Sequence, residues 1–312
     1  ALMEAGYGRN VERIHDVKRE INELLHHEEG FWRQRSRSIW LSAGDKNTKF
    51  FHQRVSQRRK KNNIDGLYDR EGEWHTDEDK IATIAEEYYK QLFTSSNSLD
   101  MGEVIGSVDR VVTEDMAQDL IRPYTADEVK TALFQMHPSK SPGLDGMSSF
   151  FFQKFWHIVG HDVTTAVLSV LHSGRYLKKM NYTHIVLIPK KNEPEYITEF
   201  RPISLGNVVS RIISKVLANR LKLILPNVIS DSQSAFVPGR IITDNTTVAF
   251  EMLHRMRNRT KGRKGHMAVK LDISKAYDRV EWEFLQRIMQ KIGLPDQWVN
   301  LAMETVRTAS YS

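Results

Sequence analysis

The chain contains no cysteine in its 312 residues. That absence excludes a disulfide scaffold, a thiolate zinc site and a cysteine nucleophile, and it suits a reducing compartment. No stretch approaches the ~20 consecutive apolar residues that span a bilayer, so no membrane partner is expected. The opening Ala1-Leu2-Met3-Glu4 lacks the basic and apolar regions of a signal peptide. Because it does not begin with Met, the chain reads as an excised piece. Internal repeats, low-complexity tracts and sustained coiled-coil heptads are missing too. What remains is a sequence with 40% hydrophobic residues, enough to bury a sizeable core.

The formal net charge of +6 is modest, but it is unevenly spread. Between Phe31 and Lys61 there are ten Lys and Arg against the single acid Asp45. From Arg255 to Lys264 there are six Lys and Arg and no acid. The remainder is therefore net acidic. One basic run read alone is a solvated face, but two in one chain point to a polyanion. Phe31, Trp32, Trp40, Phe50 and Phe51 are interleaved with the first run. Cations for phosphates and flat rings for bases are the ingredients of single-strand binding, although rings at this spacing also serve as core anchors.

Periodicity supplies the elements. Val11, Ile14, Val17, Ile21 and Leu24 step by three or four residues and predict an amphipathic helix. Capping-box patterns at Thr76/Asp79 and Thr125/Glu128 open two more helices, with a Ser-, Gly- and Asn-rich linker over 94–106. Further helices are expected near 150–157, 161–173, 207–225 (ended by Pro226) and 244–256, and after an Asp278/Glu281 cap up to Gly293. Strands are expected over 184–188 and 267–271. The class is α+β.

The sharpest chemical signal is Lys270-Leu271-Asp272-Ile273-Ser274-Lys275-Ala276-Tyr277-Asp278. A buried strand ending in a carboxylate delivers it where a cleft opens. Nucleotidyl transfer with two divalent ions needs such a group. Mg²⁺ takes a few carboxylate oxygens together with water and substrate phosphates, so one Asp makes no site by itself. A strand-end Asp is also a common turn former, and Asp278 is assigned to that structural role.

Leu271 to Trp282 resembles motif A of reverse transcriptases in the LINE (non-LTR retrotransposon) form. Lys140-Ser141-Pro142-Gly143-Leu144-Asp145-Gly146 resembles the loop ahead of the fingers in that family. Ile188-Pro189-Lys190-Lys191 followed by Phe200-Arg201-Pro202-Ile203-Ser204-Leu205 resembles its first fingers motif, and Gln233-Ser234-Ala235-Phe236-Val237-Pro238-Gly239-Arg240 the next block. Residues 40–52 are similar to a connector that plant elements place between endonuclease and polymerase. The matches fall in family order from about residue 32 to the end.

The resemblance implies a right-hand polymerase: a basic helical extension over 1–75, a helical region over 76–180, and fingers with part of the palm over 181–312. It implies Asp272 as a catalytic, metal-binding aspartate, with the Ile273 carbonyl as a further ligand of Mg²⁺. Lys190 (or Lys191) and Arg201 would reach the triphosphate, and their types fit a point-charge and a bidentate contact. Ala276 and Tyr277 would border the nucleotide, Tyr277 as a steric gate under the sugar, with core packing as its other reading. Arg240, Arg255, Arg257, Arg259, Arg58, Arg59, Lys60 and Lys61 would contact nucleic-acid backbone. The implied partners are an RNA template, a DNA primer or target, and deoxynucleoside triphosphates, in the nucleus or cytoplasm.

The chain departs from the family at one place. Reverse transcriptases carry an aromatic-Ala-Asp-Asp tetrapeptide downstream, and no Asp-Asp dipeptide occurs here. A truncated piece that does not polymerise alone is therefore expected. The rival reading is a catalytically dead nucleic-acid-binding relic.

Overall fold

A computed structural model describes residues 11–36, 48–95, 101–259 and 266–312. In chain order run α1 (Val11–Ser36), α2 (Thr48–Lys61), β1 (Leu67–Tyr68), β2 (Trp74–His75), α3 (Glu78–Phe93), α4 (Gly102–Gly106), α5 (Glu114–Ile121) and α6 (Ala126–Phe134). Then come α7 (Ser149–Lys154), α8 (Trp156–Ser173), β3 (Tyr182–Pro189), β4 (Phe200–Leu205), α9 (Val208–Val228) and α10 (Ile242–Arg257). α11 (Trp282–Lys291), α12 (Asp296–Arg307) and β5 (Ser310–Tyr311) complete the described chain. The elements sort into two compact units, residues up to 84 with 186–203, and 85–185 with 204–312. Helices mixed with short strands give the expected α+β class.

In the first unit α1 and α2 pair where Trp32 lies on His52, ring centres 3.6 Å apart. Phe51 is buried, so this ring is a core anchor. The stripe on α1 is real but stays in solvent, with Val17, Ile21 and Leu24 all exposed. β1 and β2 form a two-stranded hairpin in the register Leu67↔His75 and Tyr68↔Trp74. Asp69 closes its turn, accepting the N–H groups of Glu71 and Glu73 and pairing with His75 Nε2 at 2.7 Å. Gly66 is required beside it, because a Cβ there would stand 2.3 Å from the Trp74 ring. The hairpin docks on the segment before β4: Tyr68 N–H donates to Glu195 O at 2.9 Å, and the Tyr68 ring stacks on Tyr196.

The second unit has a helical core. α9 buries Val208, Ile212, Ile213, Val216, Leu217 and Ile224 along one face; helical periodicity in the sequence gives the same face with Val209, which is half-buried, in place of Val208. α6 opens on the expected capping box, with Glu128 N–H donating to Thr125 Oγ1 and Thr125 N–H donating to Glu128. Arg220 of α9 is 2% exposed. It donates to Glu128 and to the carbonyls of Leu120, Arg122 and Pro123, and lies 3.7 Å from the centre of the Tyr124 ring. One side chain thus joins the end of α5 to the start of α6. β5 pairs in parallel with the start of β3, Tyr182↔Ser310 and Thr183↔Tyr311.

Several local expectations are corrected. The cap of α3 comes from Asp77, whose carboxylate accepts Lys80 N–H, not from Thr76. Part of the 94–106 linker is helical as α4. Pro226 lies inside the last turn of α9, where it withholds one i→i−4 hydrogen bond without ending the helix, which runs to Val228. Asp278 does not cap α11: the N-cap is Glu281, whose side chain makes no capping hydrogen bond to the helix. Residues 267–271 form no strand. Met267 is 84% and Leu271 86% exposed, and no described strand pairs with them. Alternating apolar residues cannot hold an extended ladder without a neighbour to supply the hydrogen bonds.

Candidate functional site

Two sets of residues emerge, one in each unit. In the first, the turn joining β3 to β4 brings Lys190, Lys191 and Arg201 onto one exposed hairpin. Lys190 N–H donates to Glu199 O at 2.8 Å, and its Nζ donates to Thr198 O at 2.7 Å. Lys191 Nζ pairs with Glu199 at 2.7 Å. That hydrogen bond raises the Lys191 pKa and holds the Glu199 carboxyl below its usual range. Glu199 also accepts the N–H groups of Glu195 and Tyr196, so it braces the turn. Arg201 is exposed, and its side chain has no hydrogen bond or ion pair among the described residues. Of the three cations it keeps the whole guanidinium fork open to a ligand.

In the second unit the residues after Asp272 enter a short 3₁₀ turn, Ala276–Arg279. Tyr277, Asp278, Arg279 and Glu281 line one side of a cleft of about 800 Å³, with Phe93, Ser95 and Tyr311 opposite. Ser95 donates to Glu281 across it at 2.6 Å. Phe93 stacks on Tyr311, ring centres 5.6 Å apart. Tyr277 is 79% exposed at the rim, which removes the core-packing reading of this ring. Ala276, beside it, is exposed as well.

The turn is fastened by a residue that sequence reasoning did not single out. Lys275 adopts φ +53°, unusual for a non-glycine residue. Its Nζ lies 4.6 Å from the Tyr88 ring centre and 5.1 Å from that of Tyr89. This buried ammonium has no hydrogen-bond partner among the described residues, and neither has the Tyr89 hydroxyl. Burial, followed by the charges of Tyr88 and Asp278, pushes the Tyr89 phenol up to about 12. It is therefore a neutral ring facing a cation, the favourable arrangement. The Tyr88-Tyr89 pair shows no pattern in sequence that would have marked it.

Asp272 and Ile273 precede this turn and are both exposed. Among the described residues no group of three or more His, Cys, Asp or Glu is gathered to hold a metal. One carboxylate and one carbonyl fall short of the oxygen set a two-ion centre uses, so the described residues do not by themselves fit a resident Mg²⁺.

The expected backbone contacts divide. Arg58, Arg59, Lys60 and Lys61 form the last turn of α2, exposed and without ion pairs among the described residues. Cations there also complement the C-terminal end of the helix dipole. Arg255 and Arg257 end α10 in the same way, and Arg259 follows as an exposed residue; residues 260–264 of that run lie outside the described residues, as do 40–47 of the connector-like stretch, Trp40 among them. Arg240 is different. Its guanidinium donates to the carbonyls of Ile229, Ser230 and Gln233 and to Asp231. It closes its own loop, and the donors expected to meet a phosphate are already engaged.

Comparison with known proteins bears on the first hairpin and the turn together. Residues 188–311 match the reverse transcriptase (RNA-dependent DNA polymerase) family. The chain is similar to the transposon TX1 149 kDa protein of Xenopus laevis, 33% identical over 266 residues, covering 85% of this chain and 20% of that protein. It is similar to the Pol polyprotein of the type-1 retrotransposable element R2 of Nasonia vitripennis, 26% identical, covering 62% of this chain and 18% of that one. The R2DM element polyprotein of Drosophila melanogaster is 27% identical, covering 70% of this chain and 19% of its own length. The chain thus spans about a fifth of the length of these relatives. Residues 188–311 are thus similar to a reverse transcriptase domain, and the chain's relatives come from retrotransposable elements.

Proposed function

We propose that the chain is the nucleotide-facing and template-gripping part of an enzyme that copies RNA into DNA from a 3′ hydroxyl, in a plant-like non-LTR element. Its regions are a basic helical extension over 1–75, a helical region over 76–180, and fingers with part of the palm over 181–312. Arg201 receives the triphosphate bidentately, and Lys190 or Lys191 adds a point charge after leaving its present partner. Asp272 supplies one carboxylate of the reacting centre, with the Ile273 carbonyl beside it. Tyr277 and Ala276 border the sugar, Tyr277 excluding a 2′ hydroxyl. The exposed basic ends of α2 and α10 grip the backbones of template and primer. The observation that carries the reading is the open Arg201 on the same hairpin as Lys190 and Lys191, within the matched residues.

Extension of a DNA primer on an RNA template by the full-length protein tests it. Asp272→Asn should abolish extension while template binding stays near normal, and Arg201→Ala should raise the KM for deoxynucleotides more than it alters template affinity. Persistent extension by Asp272→Asn would show that this carboxylate is a turn former. A full-length protein that binds template but never extends supports the second reading, a nucleic-acid-binding relic, which the lone carboxylate among the described residues favours.

A further inference from the structure

The loop between α9 and α10 holds a bulky side chain in a backbone conformation it disfavours. Phe236 has φ +65°, a left-handed geometry in which a residue of this size is an outlier. Burial does not compensate, because the ring is 78% exposed. Such strain persists only where the surroundings over-determine the backbone, and here they do. Arg240 grips the carbonyls of Ile229, Ser230 and Gln233. Val237 is buried next door, Asn245 of α10 donates to buried Ser234, and Gly239 takes φ +80°. The loop is anchored on both sides of Phe236, and that ring is left in solvent.

The ring has one neighbour of its own kind. Tyr277 meets it edge to face, ring centres 6.4 Å apart and planes at 82°, and is equally exposed. Tyr277 is itself set by the turn that begins at Lys275, the other strained residue here. Two left-handed residues, far apart in sequence, thus bring two exposed rings together at right angles. A corner of this shape offers a flat face for stacking and an edge beside it. The ligand that fits is flat, apolar on its faces and polar at its rim. That describes a nucleobase, whose faces stack on aromatic side chains without regard to sequence.

We propose that Phe236 and Tyr277 form a nucleobase-binding corner in which Phe236 is the stacking wall. The proposal rests on the nucleotide-handling reading above and adds to it a second ring from a different loop. The base can belong to a free nucleotide or to a strand, and the test separates the two.

The test uses this chain with two base-bearing probes, thymidine triphosphate with Mg²⁺ and a short oligothymidylate. Inorganic triphosphate and an abasic strand of the same length are the base-free controls. Dissociation constants and the thermal midpoint are measured for the wild type, Phe236→Gly and Phe236→Trp. Phe236→Gly should raise the midpoint, because glycine adopts positive φ freely. It should also weaken at least one base-bearing probe by about ten- to a hundred-fold and leave both controls unchanged. Phe236→Trp should retain the affinity. The probe that weakens identifies the source of the base. Unchanged affinity for both base-bearing probes in Phe236→Gly overturns the corner while leaving the general reading intact. A lowered midpoint overturns it too, because the ring would then be serving the fold. If the wild type binds none of the four probes, the nucleotide-handling reading and the corner fail together.

Discussion

Arg220 is the residue with the most to lose. Its guanidinium is buried and its donors are divided between Glu128 and three carbonyls. Removing it takes away the shorter ion pair of Glu128 and leaves several carbonyl acceptors unpaired, and breaking a buried pair in this way costs about 3–5 kcal/mol. Arg220→Ala should lower the unfolding free energy by about that amount in a urea titration. Arg220→Lys should rescue little, since an ammonium cannot reproduce the planar fork. The same contact sets a pH dependence. Burial alone would raise the Glu128 pKa, but hydrogen bonds from Arg220 and Thr125 outweigh it and hold the carboxyl below its ordinary 4.5. A lowered folded-state pKa gives stability that is present above the unfolded value and lost as pH falls through the folded one. The stability gap between wild type and Glu128→Gln should therefore be constant near neutrality and shrink below about pH 4.5. A gap that grows towards acid would contradict this sign.

At the scale of elements, close approach and missing cover decide behaviour. Gly143 lies against the start of α9, where an added Cβ would stand 2.2 Å from Asn207 Oδ1 and 2.6 Å from its backbone nitrogen. Arg211 of the same helix donates to Ser141 O at 3.0 Å, so the loop is seated at two points. Gly143→Ala should force the loop off α9 and destabilise the protein by about 1–3 kcal/mol, as overpacking does, read from the thermal midpoint. α9 and α10 make a contrast: the first buries a whole face and the second buries no residue. Helices without buried contacts open locally at little free-energy cost. Amide exchange in α10 should therefore be orders of magnitude faster than in α9, and equal protection would refute it.

The same contrast explains what was legible in the sequence. α9 and α6 were readable because local signals, a 3.6-residue stripe and a capping box, agree with their packing. The strand expected at 267–271 was not, because alternation reports which residues could share a face and says nothing about whether a neighbouring strand exists. The cap at Asp278 failed for a related reason: the residue sits inside the 3₁₀ turn Ala276–Arg279, and α11 begins only at Trp282. α12 and the β1–β2 hairpin carried no strong periodic signal. At the site, residue identity made Lys190, Lys191, Arg201 and Tyr277 visible. The fastening of Lys275 by two tyrosines and the strained presentation of Phe236 depend on backbone angles and distant contacts.

For the whole molecule, the basic helix ends make a prediction about salt. Phosphate contacts release counterions, so affinity for a labelled single strand should fall steeply with ionic strength and vary little with sequence. Neutralising Arg58, Arg59, Lys60 and Lys61 together should flatten the slope of log affinity against log salt, and an unchanged slope would make them solvated surface.

The docking of the β1–β2 hairpin also has a consequence during synthesis. Tyr68 finds its backbone and ring partners at Glu195 and Tyr196, and residues between 84 and 186 belong to the other unit. A ribosome adding about 5–20 residues per second therefore needs several seconds to deliver the partner after the hairpin has emerged. During that interval Tyr68 and its neighbours wait uncovered, and any nascent chain halted before residue 195 keeps them so. The hairpin is made well before its partner and cannot finish folding until that partner arrives.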